Sequence, residues 1–318
     1  MPVSERALIA RIRAQARLGR GVIQGIGDDC SVLRVPPGHE ILVTTDFSLE
    51  AVHFRLDWHS PEVVGHRCLT RGLSDIAAMG GEPVAAFLSL ALPPRRPQRW
   101  VDGFLRGFLK LAREFGVPLA GGDTAQSPAG VLADIVVVGS VPRGRAILRC
   151  GARPGDGIYV TGELGAGGAA LDRMLQSGRK VREADYPRHF HPIPRVAIGR
   201  VLRDKRLASS MIDLSDGLST DLSHICEESG VGAVILVEAL PRALIGKRGK
   251  PVDPSFALHG GDDYELLFTA PARKRVPEKI AGVAVTRIGE ITRGQKMLAI
   301  GADGRKCILQ PEGWEHFR

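Results

Sequence analysis

Six short acidic motifs run along this chain of 318 residues: Gly27-Asp28-Asp29, Thr44-Thr45-Asp46, Ser74-Asp75, Gly121-Gly122-Asp123-Thr124, Asp213-Leu214-Ser215-Asp216-Gly217 and Gly260-Gly261-Asp262-Asp263. Each sets a carboxylate beside a glycine or a hydroxyl, and the apolar segments around them predict turns that follow strands. One such Asp reads as a turn or a helix cap. Six invite another reading, because carboxylates that converge repel one another unless cations neutralise them. Hard oxygen donors suit Mg²⁺, which keeps waters or substrate phosphates in its shell. Asp29, Asp46, Asp75 and Asp123 all come from the first half, and Thr44 and Thr45 add hydroxyl or backbone oxygens. Gly121 and Gly122 let the backbone approach a phosphate closely. Several Mg²⁺ ions shared among these residues suit a nucleoside triphosphate.

Other phosphate-binding signatures are absent. No Gly-x-x-x-x-Gly-Lys-Ser/Thr occurs, which excludes a P-loop enzyme. Asp46-Phe47-Ser48 lacks the glycine-rich loop and catalytic loop that a protein kinase needs around such a triplet. Gly165-Ala166-Gly167-Gly168 does not have the Gly-x-Gly-x-x-Gly spacing, and reads as a structural turn. The formal net charge is +8, but the basic residues are scattered, and only 5% of residues are aromatic. That argues against a nucleic-acid platform and leaves a surface that attracts small anions. The five cysteines (Cys30, Cys68, Cys150, Cys226, Cys307) are far apart, so reduced and mostly buried thiols are expected, as in a cytoplasmic protein. Leu8, Ile9 and Ile12 alternate with Arg11, Arg13 and Arg17, which predicts an amphipathic surface helix. No apolar run approaches the roughly 18 residues that span a bilayer.

These motifs must be carried by elements that alternate. Apolar strands are expected at 31–35, 41–45, 85–92, 117–120 and 135–141, with helices over 61–79 and 100–115. The pattern restarts after the polar turn Gly151–Asp156. A strand at 158–161 and a helix from Ala169 follow. A loop over 186–194, a helix over 195–204, a strand at 211–214 and a helix over 217–228 come next. Later strands are expected at 234–237, 266–269, 283–288 and 297–300. The reading is an α/β chain of the α+β type with two domains, 1–148 and 149–318, each a mixed sheet with packed helices.

In this order, from Gly25-Ile26-Gly27-Asp28-Asp29 to Gly313-Trp314-Glu315-His316-Phe317, the motifs resemble the thiamine-monophosphate kinase family. That family sits in a superfamily with aminoimidazole ribonucleotide synthetase, selenophosphate synthetase and a hydrogenase maturation factor. Thr45-Asp46 followed by Val52-His53-Phe54, then Ile212–Gly217 and the late Gly261–Leu266, separate it from those relatives. The resemblance implies Mg²⁺ ligation by Asp29, Thr44, Thr45, Asp46, Asp75, Asp123, Asp213 and Asp216. It implies ATP contacts at Gly122, Asp123, Arg149 and Ser215, and thiamine monophosphate contacts at His53, Asp262 and Trp314. It also implies a homodimer formed through the N-terminal domain, an active site drawing on both domains, and phosphoryl transfer from ATP assisted by Asp46, Asp75 and Asp123 without a general base. The chain departs from the family pattern at Asp262, where many members have Glu, at Arg71-Gly72, often Val-Asn, and at Ala51, commonly Gly. By residue chemistry alone, His53 also fits a packed histidine, Trp314 a tail anchor, and the whole chain a non-catalytic nucleotide sensor.

Overall fold

The computed structural model of the chain describes residues 5–16 and 19–317, so Arg17 of the expected first helix lies outside the described residues. The chain divides into two compact units, Met1–Ile76 with Gly81–Gly144, and Ala77–Gly80 with Arg145–Arg318.

The first unit runs α1 (Glu5–Gln15), β1 (Val22–Gln24), β2 (Val32–Leu33), β3 (His39–Leu49), α2 (Pro61–Ala78), β4 (Glu82–Leu92), α3 (Gln98–Glu114), β5 (Leu119–Gln126) and β6 (Leu132–Pro142). Four strands form one mixed sheet in the order β3-β6-β4-β5, with β4 and β5 parallel and the other pairs antiparallel. α2 and α3 cover one face. Their apolar positions repeat every three or four residues, so Leu69, Leu73 and Ile76 meet Phe104, Leu105 and Phe108 over Leu88, Leu90, Ile135 and Val137. Each such side chain contributes about 1.5–3 kcal/mol when fully buried.

β3 alternates differently. Leu42, Thr44, Asp46 and Ser48 point toward the helices, while Ile41, Val43 and Phe47 remain exposed on the other face. Three of the acidic motifs therefore lie inside regular elements rather than in turns: Thr44-Thr45-Asp46 in β3, Ser74-Asp75 in α2 and Gly121–Thr124 in β5. The expected strand at 117–120 starts later and runs on through the glycines, because Phe87 and Leu88 of β4 pair with Gly121 and Gly122 and carry the ladder past them.

The second unit contains β7 (Gly157–Thr161), α4 (Ala166–Ser177), α5 (Pro187–Phe190), α6 (Val196–Asp204), β8 (Ser210–Asp213), α7 (Leu218–Ser229), β9 (Gly232–Leu236), β10 (Leu244–Ile245), β11 (Lys250–Pro251), α8 (Pro254–His259), β12 (Leu266–Ala270), β13 (Lys279–Ile280), β14 (Val283–Thr292), β15 (Met297–Ile300) and β16 (Lys306–Ile308). Its large sheet has the order β16-β15-β9-β14-β7-β12-β8, with β13 beside β14. The β9–β15 pair is parallel and the others are antiparallel, so this sheet is mixed too. β8 and β12 are buried at every position, with Ser210, Asp213 and Thr269 buried among the apolar residues, so neither shows a one-face alternation. α5 occupies part of the expected 186–194 loop. No helix among the described residues is long and apolar enough to cross a membrane. Cys68 and Cys226 are buried, but Cys30, Cys150 and Cys307 are exposed, which corrects the expectation of mostly buried thiols.

Candidate active site

In the first unit the register of the sheet sorts the acidic residues. Asp46, Ile135, Leu88 and Gly122 form one cross-strand row, and Phe47, Asp134, Ser89 and Asp123 form the next. Side chains in successive rows point to opposite faces. Asp46 accordingly faces α2, where Arg71 Nη1 lies 3.3 Å from its Oδ1. One helical turn on, the Asp75 carboxylate accepts a hydrogen bond from the Thr44 hydroxyl. Thr44, Asp46 and Asp75 thus form one oxygen-rich patch beneath α2. Thr45 turns the other way, donating to Asp134 Oδ1 at 2.7 Å, so only its backbone is available on the Asp46 side.

Asp29, Gly122 and Asp123 gather elsewhere in the unit. They line a cavity of about 530 Å³ with Ile9, Ile12 and Arg13 of α1, Asp28, Gly121 and Thr124. Gly122 has φ +148°, and a Cβ there would fall 1.9 Å from the Leu88 carbonyl oxygen, so any side chain would push β5 off β4. The buried Thr124 hydroxyl oxygen has no hydrogen-bond partner. An unsatisfied hydroxyl beside two aspartates suits a site built to receive polar oxygens or a cation. His53 sits in the turn after β3, where its Nδ1 accepts the Leu49 backbone N–H at 3.0 Å. A neutral ring therefore carries its proton on Nε2, leaving that nitrogen as a donor.

In the second unit three segments meet. β8 ends at the buried Asp213, and the turn Leu214–Gly217 leads into α7. The Asp262 N–H donates to the Ser215 carbonyl at 2.8 Å, and the Trp314 N–H donates to the Asp216 carbonyl at 2.9 Å. Ser215, Asp216, Asp262 and Trp314 are thereby brought together. Asp262 and Tyr264 both hold left-handed backbone conformations, φ +67° and +52°. Non-glycine residues adopt these only when their surroundings compel it. Here the buried Tyr264 phenol donates to Asp262 Oδ1 at 2.7 Å. Glu265 is buried as well, held by Arg195 Nε at 2.7 Å and Arg188 Nη1 at 3.2 Å.

The charges in this unit are crowded. Burial pushes the Asp221 carboxyl well above the usual carboxylate range, and Asp213 and Asp216 push it further, against hydrogen bonds from the Gly217 and Asp216 N–H groups. Asp216, Asp221 and His224 each bring one donor atom within 4.8 Å of the others. Carboxylate oxygens with an imidazole at that spacing fit a divalent cation, as do the carboxylates and hydroxyl of the Asp46 patch. Arg149 is placed apart from this turn. Its side chain is exposed, and its carbonyl accepts from Ser229 at the far end of α7. With 1.5 Å of rise per residue, that helix separates the two points by roughly 16 Å.

Sequence reasoning missed Arg13, Asp134, Asp221, His224 and Tyr264. Asp221 and His224 carried a signal, their three-residue spacing just inside a helix that starts at an acidic turn. Asp134 carried none, since it reaches Thr45 only through strand pairing.

Two family models match the chain: the N-terminal domain of AIR synthase related protein over residues 27–141, and its C-terminal domain over residues 153–300. The chain is 39% identical to thiamine-monophosphate kinase of Escherichia coli (strain K12), over 100% of this chain and 99% of that one. The solved thiamine-monophosphate kinase of Stenotrophomonas maltophilia K279a is 36% identical with a TM-score of 0.81, over 96% of this chain and 98% of that one. AaThiL complexed with AMPPCP and TMP is 29% identical with a TM-score of 0.77, over 98% and 97%. With both domains matched and identity sustained from end to end, the chain belongs to the thiamine-monophosphate kinase family of AIR synthase related proteins.

Proposed function

We propose that this chain transfers the γ-phosphoryl group of ATP directly to the phosphate of thiamine monophosphate, giving ADP and thiamine diphosphate. The observation that carries the reading is the end-to-end match to thiamine-monophosphate kinases, one relative of which is complexed with AMPPCP and TMP. The geometry agrees, because the residues assigned to substrate, Asp262 and Trp314, are hydrogen-bonded to the turn that carries Ser215 and Asp216.

The acceptor needs no general base. A phosphate monoester loses its second proton near pH 6, so an ionised oxygen is ready at neutral pH. Joining two polyanions is harder: unit charges about 4 Å apart repel by roughly 4 kcal/mol at an effective dielectric of 20. Bound Mg²⁺ would supply the neutralisation of those phosphate oxygens. Thr44, Asp46, Asp75 and the backbone oxygen of Thr45 are assigned to hold it at the patch beneath α2, Asp29 and Asp123 at the cavity of the same unit, and Asp213 and Asp216 at the turn of the second unit. The cavity at Asp29 and Asp123 would receive ATP, with the Gly122 backbone against phosphate and Arg13 supplying positive charge. Arg149 and Ser215 are the further ATP contacts. His53 would donate from Nε2 toward thiamine monophosphate, and Asp262 and Trp314 would hold it.

We assign the functional form to a homodimer, supported by the apolar outer face of β3, an edge strand whose Ile41, Val43 and Phe47 are all more than half exposed. A cytoplasmic setting, where thiols stay reduced, suits five cysteines outside any disulfide. The test is a Mg²⁺-dependent assay with ATP and thiamine monophosphate. Thiamine diphosphate formed in step with ADP supports the reading; ADP formed without it sends the assignment to another ATP-using branch of the superfamily.

A further inference from the structure

Arg71 brings a guanidinium into the acidic patch beneath α2, and the proposed reaction gives it no role. Its side chain is 11% exposed, and Nη1 lies 3.3 Å from Asp46 Oδ1, itself 32% exposed. The position is fixed by packing. Gly72 lies so close to β6 that a Cβ would fall 2.5 Å from Val137 Cγ2, so α2 lies directly on the sheet at the turn carrying Arg71. Arg71 and Asp75 are four residues apart on one helix face, and Thr44 and Asp46 are two apart on one strand face, so the four side chains share a patch. In this patch the Thr44 hydroxyl donates to the Asp75 carboxylate and the Arg71 guanidinium donates to the Asp46 carboxylate.

We propose that Arg71 is a built-in counter-cation of Asp46: its guanidinium holds the carboxylate in the metal-free protein and must give it up when a divalent cation binds there. The inference rests on the reading of Asp46 as a Mg²⁺ ligand. A half-buried carboxylate facing a second carboxylate is costly without a cation. Arginine provides one permanently, since its charge persists at any accessible pH. A divalent ion then competes with a group already in place, and is also repelled by it. Both effects raise the cation concentration at which the patch fills, and both disappear when the guanidinium is removed.

The test measures cation binding directly. Mn²⁺ binding to the full chain is followed by electron paramagnetic resonance, and Mg²⁺ binding by calorimetry, each with and without a non-hydrolysable ATP analogue. Arg71→Met should bind the cation about five-fold more tightly, the factor set by losing an ion pair at the upper end of the exposed-pair range. The same variant should melt lower in EDTA and gain more in melting temperature from saturating Mg²⁺ than the parent does. Arg71→Lys, which keeps the charge and loses the planar fork, should fall between the two, and serves if the Met variant does not fold. Cation affinity that is unchanged or weaker in a folded variant overturns the proposal, as does undetectable binding in parent and variant alike. Unaltered cation affinity with weaker binding of the ATP analogue would make Arg71 a phosphate contact instead. Asp46→Asn separates the two levels of inference. If it retains the parent's cation affinity, the reading of Asp46 as a ligand fails; if it loses affinity while Arg71→Met gains none, only the role of Arg71 fails.

Discussion

Trp314 is half exposed, and its backbone N–H is tied to the Asp216 carbonyl, so the indole is presented beside the turn assigned to ATP and metal rather than packed into a core. Trp314→Ala should raise the KM for thiamine monophosphate by about ten-fold, the scale of one aromatic contact, while the KM for ATP changes little. Equal changes for both substrates would make it a tail anchor. Asp46→Asn should lower kcat by on the order of 10²–10³ with the fold intact, the range seen when one group stabilising transition-state charge is removed. Near-normal turnover in that folded variant would remove Asp46 from the metal set. Residue types alone made Asp46, Asp75 and Thr44 legible as oxygen donors. Arg71, beside Asp46, and Asp134, which accepts from Thr45 on the other face, were not, because strand register and helix packing, rather than local spacing, bring them in.

Ala51 follows β3 with φ +69°, a conformation that costs an L-residue about 1–2 kcal/mol and glycine almost nothing. Ala51→Gly should therefore stabilise the first unit by about 0.5–1 kcal/mol, after allowance for the looser unfolded chain, as read from urea unfolding. A loss of stability would show that the turn is relaxed. The loop before β12 offers a pH-dependent counterpart. Asp263 accepts the Gly165 N–H at the start of α4 at 2.7 Å, and burial pushes its carboxyl from 3.8 up to about 8. Between those values the folded chain keeps a proton that the unfolded chain releases. This group's stabilisation is thus complete below about pH 4 and lost as the pH rises toward 8. Asp263→Asn should show a smaller fall in stability from pH 5 to 8 than the parent, in urea melts at both values; an identical fall would contradict it. Helices and buried strands were legible from apolar period, to within a few residues. The placement of the acidic motifs was not, since an Asp-Gly pair signals a turn until a neighbouring strand supplies the ladder, as β4 does for Gly121-Gly122.

At the scale of the whole molecule, two mixed-sheet units and the family were legible, because ordered motifs over the full chain are far more specific than any one of them. The exposed apolar face of β3 was not legible: Ile41, Val43 and Phe47 alternate with Leu42, Thr44, Asp46 and Ser48, so by alternation alone the apolar set reads as the side that faces the core. Val43→Lys should shift a homodimer toward monomer in sedimentation, while leaving the far-ultraviolet spectrum unchanged; a sedimentation profile identical to the parent's would locate the interface elsewhere. The central claim is direct transfer between two phosphates with no base and no phosphate lost to water. It is tested by quantifying ADP, thiamine diphosphate and inorganic phosphate together, with ATP, thiamine monophosphate and Mg²⁺ present and again with the metal chelated. The account predicts equal amounts of ADP and thiamine diphosphate, no inorganic phosphate, and no turnover without the metal. ADP accompanied by inorganic phosphate and no thiamine diphosphate would contradict it.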